Sequence, residues 1–555
     1  MLKTDRSIES RIVIASKVYS MNSADDVCEA FLVRQGRIVA TGQRDEILAL
    51  RDSHTIVEDL ADHTVIPGLI DAHVHFSWTA EMMAAVNLDA CGSIMEIQSV
   101  LAARVGETPV GEWIRGGSWD ESHLKERRNP TRFDLDPISP DHPVVIDRGF
   151  NGLVANSVAL KAALGAIEFS GVDLDAGLLE GCQVDAEGLL TGYFKGAAKG
   201  LILNKIPRKS TREYAAMIGN ACRAFNAAGI TMVEDPGVFS NELEGYLLAA
   251  TTGQLTVRSE IMLPGWGLYT YVGLVNEDGD ALTERLKQMP FKSGFGDGLL
   301  RLGGVKILVD GGIGDATAVM RGGYDRDPSN HGEYYTRPED LHRFAQLAHS
   351  RDLAIDFHAC GDEALELTAE TIARLQEEDP RPWLRHRIHH IYFPTERTLS
   401  LMRKYSVPAI LTSVFIESLA DGYMENLGED LIHRIMPART VCDAGIVVGM
   451  GADTPVADFN PWQGMYALCA RRTRGGRLLD QAERFTIAEA LKAYTAGGAF
   501  ALGREHDLGT LEPGKWADYV VLDKDPLMED LDWLRSVKPL ATSVAGKYVF
   551  DRRGA

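Results

Sequence analysis

The sequence predicts an α/β protein built around a (β/α)8 TIM barrel, and three observations support that prediction. Eight apolar, strand-like runs alternate with helical stretches between about residues 65 and 505. The runs are continuously apolar, as strands are when both faces of a parallel sheet are covered. Several runs also end in histidine or aspartate, and strand ends are where barrels of this kind carry their chemistry.

The eight runs follow one another along the chain at spacings that leave room for helices. They are "TVIPGLIDAHVHF", "GITMVEDPG", "LTVRSEIML", "GGVKILVDGG", "LAIDFHACGD", "RHRIHHIYF", "VPAILTSVF" and "GIVVGMGAD". The spacing of apolar residues predicts helices over 338–350 and 363–377. Residues 80–225, approximately, do not fit one βα unit, so we expect a large insertion after the first strand.

The two ends of the chain are predicted to be β structure. In residues 1–64, two β-rich runs meet at Gln35-Gly36, which is typical of a two-residue hairpin turn. Residues 506–555 contain short strand-like runs punctuated by Gly and Pro. Neither end is long enough to bury a good core alone. We therefore expect them to pair into one small composite β-sandwich domain, with residues 65–505 forming the barrel.

Composition excludes several classes of partner. The 555 residues carry a net charge of −22, whereas a nucleic-acid or anionic-membrane surface needs clustered Lys and Arg. The seven cysteines are scattered, without a C-x-x-C pair, which indicates reduced thiols. No signal peptide or membrane span is recognisable. We expect a cytoplasmic protein with a small-molecule substrate, and the sequence leaves a homo-oligomer open.

Side chains that bind metal ions stand at or near the ends of several runs. The candidates are His73, His75, His358, His390 and Asp453, with Lys306 inside an apolar run. His73 and His75 are two residues apart, so on a strand both side chains point the same way and can enter one barrel mouth. Imidazole and carboxylate are the ligands expected for Zn²⁺ or a similar divalent ion. The set therefore predicts a metal site.

Each candidate has an ordinary alternative when it is taken alone. Asp453 precedes a Thr-Pro pair and is then most simply a helix N-cap, while Lys306 would be a paired or snorkelling lysine. His389 and His390 are adjacent, so strand alternation predicts that at most one of them faces the barrel interior. The joint pattern over five separate strands favours the metal site.

Several motifs resemble one known family. "PGLIDAHVH", "FHACGD", "RHRIHH", "GADTP" and "LGTLEPGKWADYVVLD" occur in the order typical of the amidohydrolase superfamily. "VKILVDGG" and "VANSVAL" are similar to its YtcJ-like branch, amidohydrolase family 3, which includes N-substituted formamide deformylases. The resemblance extends over nearly the whole chain.

The resemblance implies a role for each candidate. The implied metal ligands are His73, His75, Lys306, His358, His390 and Asp453. Asp453 matches an aspartate that is also the general base. Lys306 matches a position where many members carry a carboxylated lysine that bridges two metal ions. We therefore expect Zn²⁺, with one ion per chain, or two if Lys306 is carboxylated.

These roles have a common physical basis. Metal binding lowers the pKa of water from 15.7 towards ~7, which supplies hydroxide at neutral pH. An adjacent aspartate can accept that proton and pass it to the leaving amine. Carboxylation of a lysine requires the neutral amine, and burial in an apolar strand favours that form.

Three positions depart from the branch pattern, and a fourth bears on the substrate. His389 stands where the family usually has Glu, Asn151 where relatives often have a Gly-His pair, and Asp315 where many carry Ser-Arg or a similar pair. Trp119 lies in a family-like "GSWDE" patch. Trp119, Asn151 and Asp315 are therefore candidate substrate contacts.

The sequence predicts hydrolysis of a C–N bond other than a peptide bond, in an N-substituted formamide or another small or cyclic amide. Two alternatives stay open: a metal-dependent deaminase of the same superfamily, and a catalytically inactive scaffold on this fold. The complete ligand set argues against the scaffold.

Overall fold

The computed structural model describes residues 10–22, 26–117, 119, 121, 124–148, 152–165, 181–268 and 279–553. Two eight-stranded sheets and one six-stranded sheet are formed. One eight-stranded sheet is parallel and builds the barrel, and the other comes from the two ends of the chain. The six-stranded sheet lies between the first and second barrel strands in the chain. The predicted fold class is thereby confirmed.

The barrel contains the eight strands that the apolar runs predict, each paired in parallel with the next along the chain. In order they are Leu69–Asp71, Ile230–Pro236, Arg258–Pro264, Leu300–Leu308, Ala354–Ala359, Arg387–His390, Ala409–Leu411 and Val448–Met450. The barrel closes where the Ala72 amide donates to the Met450 carbonyl and the Asp453 amide donates to the His73 carbonyl, both at 2.8 Å. All eight strand ends therefore open on one rim.

Helices lie between the barrel strands and after the last of them, and a short one lies in the amino-terminal β region. Outside the insertion they are Arg44–Leu48, Phe76–Ala84, Thr211–Ala227, Ser240–Thr251, Gly279–Gln288, Pro338–Ser350, Asp362–Glu378, Glu396–Lys404, Val414–Ser418, Ala420–His433, Ala438–Asp443, Pro461–Ala470, Ile487–Lys492 and Gly498–Ala501. The two helices predicted from apolar spacing, over 338–350 and 363–377, are confirmed. Among the described residues, no helix has the length and apolar character needed to cross a membrane.

Both ends of the chain contribute to one sheet. Its strands are Ser10–Tyr19, Val27–Arg34, Arg37–Gly42, Thr55–Asp59, Thr64–Pro67, Tyr519–Leu522, Ala541–Val544 and Lys547–Asp551. Gln35 and Gly36 form the predicted hairpin turn, with φ of 53° and 77°. The sheet folds over itself: Phe31 and Tyr519 lie three strands apart, about 14 Å in a flat sheet, yet their ring centroids are 5.3 Å apart.

The insertion has its own sheet and helices. The strands are Val86–Asn87, Ile114–Gly117, Val144–Arg148, Gly152–Ala155, Cys182–Val184 and Leu190–Lys195, and the helices are Ile94–Glu107, Arg132–Leu135, Ser157–Leu164 and Gly200–Leu203. Arg115 ties this sheet to the barrel, since it donates to Asp147 at 2.8 Å and to Glu81 at 2.9 Å. The helix Thr211–Ala227 contributes to the core of the barrel.

Candidate metal centre

Four imidazoles and one carboxylate meet at the rim formed by the carboxyl ends of the barrel strands. The ring centroids of His73 and His75 are 5.6 Å apart, those of His73 and His390 5.3 Å, and those of His358 and His390 4.3 Å. Asp453 Oδ1 lies 3.1 Å from His73 Nε2 and 3.3 Å from His75 Nε2. The structure thus brings together side chains that are up to 380 positions apart in the chain.

Backbone carbonyls determine the tautomers of two of these histidines. His75 Nδ1 lies 3.0 Å from the Pro236 carbonyl, and His358 Nε2 lies 3.3 Å from the Gly311 carbonyl. A carbonyl only accepts, so each of these nitrogens carries the proton. The lone pair is then on Nε2 of His75 and on Nδ1 of His358. Metal-binding histidines are commonly oriented in this way, with the second ring nitrogen donating to a carbonyl or carboxylate.

Other polar atoms at the rim are buried without a protein partner. Within the described residues, His73 Nδ1, His390 Nε2 and Lys306 Nζ have no hydrogen-bond partner. A buried polar group left in this state costs about 1–3 kcal/mol, so such groups call for a ligand or a functional explanation. Ligand atoms of His73, His390 and Asp453 lie within 4.8 Å of one another. The donor set therefore fits a divalent metal ion.

The ionisation states also suit a cation. Burial lowers the pKa of His73 and of His390 well below the usual range, and burial together with Lys306 lowers that of His358 to about 3. Burial alone would raise the pKa of Asp453, but His73 and His75 outweigh it and hold that pKa well below its usual range. At neutral pH the imidazoles of His73, His358 and His390 are therefore neutral and the Asp453 carboxylate is ionised, and these are the forms that bind metals.

Lys306 points its side chain into the barrel from the fourth strand. It pairs in register with Asp356 of the fifth strand and is only 1% exposed. Burial lowers the pKa of Lys306, although the negative charges of Asp356, Glu234 and Asp453 oppose that shift. The net direction favours the neutral amine.

Both histidines of the sixth strand face the interior, so the prediction that at most one of them does is wrong. His389 Nε2 lies 3.1 Å from Asp356 Oδ1, and the His389 ring is 4.2 Å from that of His73. The His390 ring is directed at His358 and His73. Alternation fails because His390 and Ile391 have φ of 78° and 48°, in the left-handed region, so the chain turns as the strand ends.

A buried group of charges lies beneath the imidazoles, and sequence reasoning missed it. Arg387 forms ion pairs with Asp356, with Glu234 at 3.3 Å and with Glu260 at 3.7 Å. His73, Glu234, Asp356 and His389 also bring ligand atoms within 4.8 Å of one another. Asp356 is already contacted by Arg387 and His389, and Glu260 pairs with Arg301 at 2.6 Å, so these carboxylates have protein partners and we assign the metal to the rim. The signal in the sequence was a charged residue inside each of four apolar strands.

Asp71 was also missed, and it joins the strands that carry two of the candidates. Its Oδ1 accepts hydrogen bonds from the backbone amides of His73 at 3.1 Å and of Ala452 at 3.2 Å. These contacts fix the backbone on either side of the pair formed by His73 and Asp453.

The helix-cap alternative for Asp453 is wrong. The residues that follow it form turns, and the next helix begins at Pro461. Asp453 has a φ of 54°, a backbone conformation that aspartate tolerates better than most residues. Its carboxylate is consequently free of a helix N-terminus and lies against the imidazoles instead.

The three residues predicted to contact substrate do not lie together. Trp119 is 2% exposed and packs in the core of the insertion, with Leu88 and Ile97 among its neighbours. Asp315 is exposed and lines an open cavity of about 470 Å³ with Tyr324 and Asn426. Asn151 lies outside the described residues.

A closed (β/α)8 barrel with a rim of histidines and one aspartate defines the class of protein. A model of the amidohydrolase family matches residues 57–550 of this chain. The chain belongs to the amidohydrolase family and is a hydrolase, and the resemblance seen in its motifs is confirmed.

Known proteins are similar over almost the whole chain. An N-substituted formamide deformylase of Arthrobacter pascens is 25% identical over 98% of this chain and 99% of its own length. The protein YtcJ of Bacillus subtilis is 26% identical over 96% of this chain and 98% of its own. The crystal structure of an uncharacterized metal-dependent hydrolase from Pyrococcus horikoshii has a TM-score of 0.77 at 23% identity and covers 94% of this chain and 99% of that one, which supports the fold.

Proposed function

We propose that this protein is a metal-dependent hydrolase of C–N bonds other than peptide bonds, acting on N-substituted formamides or on other small or cyclic amides. The observation that carries the proposal is the ionised Asp453 carboxylate within 3.3 Å of two imidazole nitrogens at the barrel rim. The similarity to a formamide deformylase over 98% of the chain supports this type of bond.

The proposed ligands share one feature, a buried or nearly buried side chain at the rim. They are His73, His75, Lys306, His358, His390 and Asp453. Zn²⁺ suits neutral imidazoles combined with carboxylate. When bound, such an ion lowers the pKa of water towards ~7 and polarises the scissile carbonyl.

The protein itself moves the proton. Asp453, whose pKa is held well below its usual range, is ionised and can accept the proton of the attacking water at a carboxylate oxygen. The same oxygen then delivers that proton to the leaving nitrogen, which departs as the amine. The backbone of Asp453 is fixed by the hydrogen bond that its amide donates to the His73 carbonyl at 2.8 Å, so the proton acceptor does not have to reorganise between the two steps.

Lys306 decides whether the centre holds one ion or two. Its neutral amine can add to CO₂ with loss of a proton, and the resulting carbamate is an anionic ligand with two oxygens. Metal analysis of protein purified with Zn²⁺ and bicarbonate tests this. We expect about two ions in the parent and in the control Lys199→Ala, a lysine of the insertion, but one or none in Lys306→Ala. Equal contents in all three would rule out the carbamate.

The substrate class is tested with formamides, amides and imides, scored for released amine. We expect turnover that Asp453→Asn abolishes. Release of ammonia from amino-substituted rings, without turnover of any amide, would instead favour the deaminase alternative. An inert panel combined with normal metal binding by His73→Ala would contradict the assignment of the centre.

A further inference from the structure

We propose that Trp78, held in place by Glu242, is a positioning residue for His75. The indole keeps the imidazole in the plane in which its Nε2 faces Asp453. This inference rests on the metal centre proposed above, and it assigns a role to residues that the chemistry of that centre does not itself require.

The first observation is the stacking of the two rings. The centroids of His75 and Trp78 are 4.5 Å apart and the ring planes differ by only 5°. The helix Phe76–Ala84 begins directly after His75, and the His75 carbonyl accepts the amide of Thr79 at 2.8 Å. Residues three apart on such a turn lie on one face. The indole therefore covers one side of the imidazole.

The second observation is the way in which the indole is held. Glu242 is buried, and its Oε1 accepts a hydrogen bond from Trp78 Nε1 at 3.1 Å. Its other oxygen accepts from the Phe239 amide at 2.7 Å. The centroids of the Phe239 ring and the indole are 6.4 Å apart, and the two ring planes differ by 18°. One carboxylate thus orients both the edge of the indole and the residue packed beyond it.

The third observation is that the same loop also determines the tautomer of His75. Pro236, at the end of the second barrel strand, accepts the Nδ1 proton of His75, and Phe239 and Glu242 follow within six residues. The loop after the second strand and the first turn of the helix Ser240–Thr251 therefore control both the proton and the ring plane of a ligand that follows the first strand.

The position of His75 explains why it needs this support. His73 and His390 are enclosed by the barrel, at 1% and 2% exposure, whereas His75 is 8% exposed at the rim. The barrel covers the His75 ring less completely than the other two, and the indole supplies a covering surface on one face of that ring. Residues that orient a metal ligand in this way typically change metal affinity 10–100-fold when they are replaced.

The test is Co²⁺ and Zn²⁺ affinity, measured by competition with a chelator, in the purified full-length protein. Trp78→Leu removes the stacked ring, and we expect its metal affinity to fall about 10–100-fold. Trp78→Phe keeps a flat ring and should restore affinity to within about threefold of the parent. Glu242→Gln should have an intermediate effect. Trp383→Leu, a change at a tryptophan that is 66% exposed, is the control and should match the parent.

The outcomes separate this inference from the proposed function. Parent-like affinity in folded Trp78→Leu and Glu242→Gln would overturn the positioning role and leave the metal centre standing. If the parent bound no metal, both proposals would fall. Should Trp78→Leu fail to fold, an unchanged affinity in Glu242→Gln would overturn the role by itself. The ligand-field spectrum of bound Co²⁺ should also change in Trp78→Leu and return in Trp78→Phe, a recovery that a purely structural role would not produce.

Discussion

Histidines are buried at both ends of the barrel, but their ring nitrogens are hydrogen-bonded at one end and partly unpaired at the other. At the amino end, the Ile355 amide donates to His386 Nδ1 at 3.1 Å, so the His386 proton is on Nε2. That nitrogen donates to His349 Nδ1 at 2.8 Å, and His349 Nε2 donates to the Asp379 carbonyl at 2.7 Å. Every ring nitrogen of this pair is hydrogen-bonded.

At the carboxyl end, buried nitrogens of His73, His390 and Lys306 have no partner among the described residues. The two ends therefore both contain buried histidines, and they differ in whether the polar nitrogens have hydrogen-bond partners. A satisfied pair holds strands and helices together, whereas unsatisfied lone pairs that converge on one point are suited to a ligand. Single unpaired ring nitrogens also occur at His142 and His342, so it is the gathering of several at one rim that marks the carboxyl end.

The largest expected effect is at the carboxyl end. Asp453→Asn keeps the shape of the side chain but removes the proton acceptor, so kcat/KM should fall about 10²–10⁴-fold once a substrate is identified. Thermal unfolding of the metal-free protein is the control that shows whether the variant is folded. Activity close to that of the parent would exclude Asp453 as the general base.

Smaller effects are expected when a histidine is replaced at one end of the barrel or at the other. His386→Ala leaves the Ile355 amide and His349 Nδ1 unpaired, and we expect it to lower the free energy of unfolding by about 1–3 kcal/mol with metal content unchanged. His390→Ala should instead reduce metal content, with a smaller loss of stability in the metal-free protein. Urea titration gives the free energy of unfolding of each variant, and metal analysis gives its metal content. If the two variants behaved alike, the distinction between the ends would be lost.

A more gradual effect is a dependence of stability on pH that arises at the amino end. Burial and the neighbouring His349 lower the pKa of His386 to about 3, against 6.5 for an ordinary histidine. Between these values the unfolded chain binds a proton that the folded chain does not, so stability is lost as pH falls from 6.5 towards 3. The slope is at most about 1.4 kcal/mol per pH unit for one such histidine.

Urea unfolding of the parent and of His386→Asn over this range measures that contribution. The difference in unfolding free energy between the two should shrink as pH falls, because only the parent loses the contribution of His386. Parallel pH profiles would show that His386 is not the titrating group.

Much of the fold was predictable because it depends on patterns within short stretches of the sequence. Apolar runs of strand length between helical stretches identified all eight barrel strands, and the pair Gln35-Gly36 between two β-rich runs identified a hairpin. His73 and His75 were recognisable for the same reason, since the two-residue repeat of a strand places both on one face.

Features that depend on a neighbouring strand or loop were not predictable in this way. Strand alternation misplaced one of His389 and His390, because it does not include the left-handed turn at the strand end. The ion pairs of Arg387 with Asp356 and Glu234 join three strands. The contact of Glu242 with Trp78 joins two segments that lie 164 residues apart.

The sequence by itself determined the order of the strands, the identity of the metal-binding candidates and the family, because periodicity and motif spacing are properties of a continuous chain. Only the tertiary structure decided which nitrogens carry protons, which buried charges are compensated and which side chains support His75. These depend on distances of a few ångströms between residues that barrel closure brings together, and hydrogen bonds and ion pairs act only over such distances.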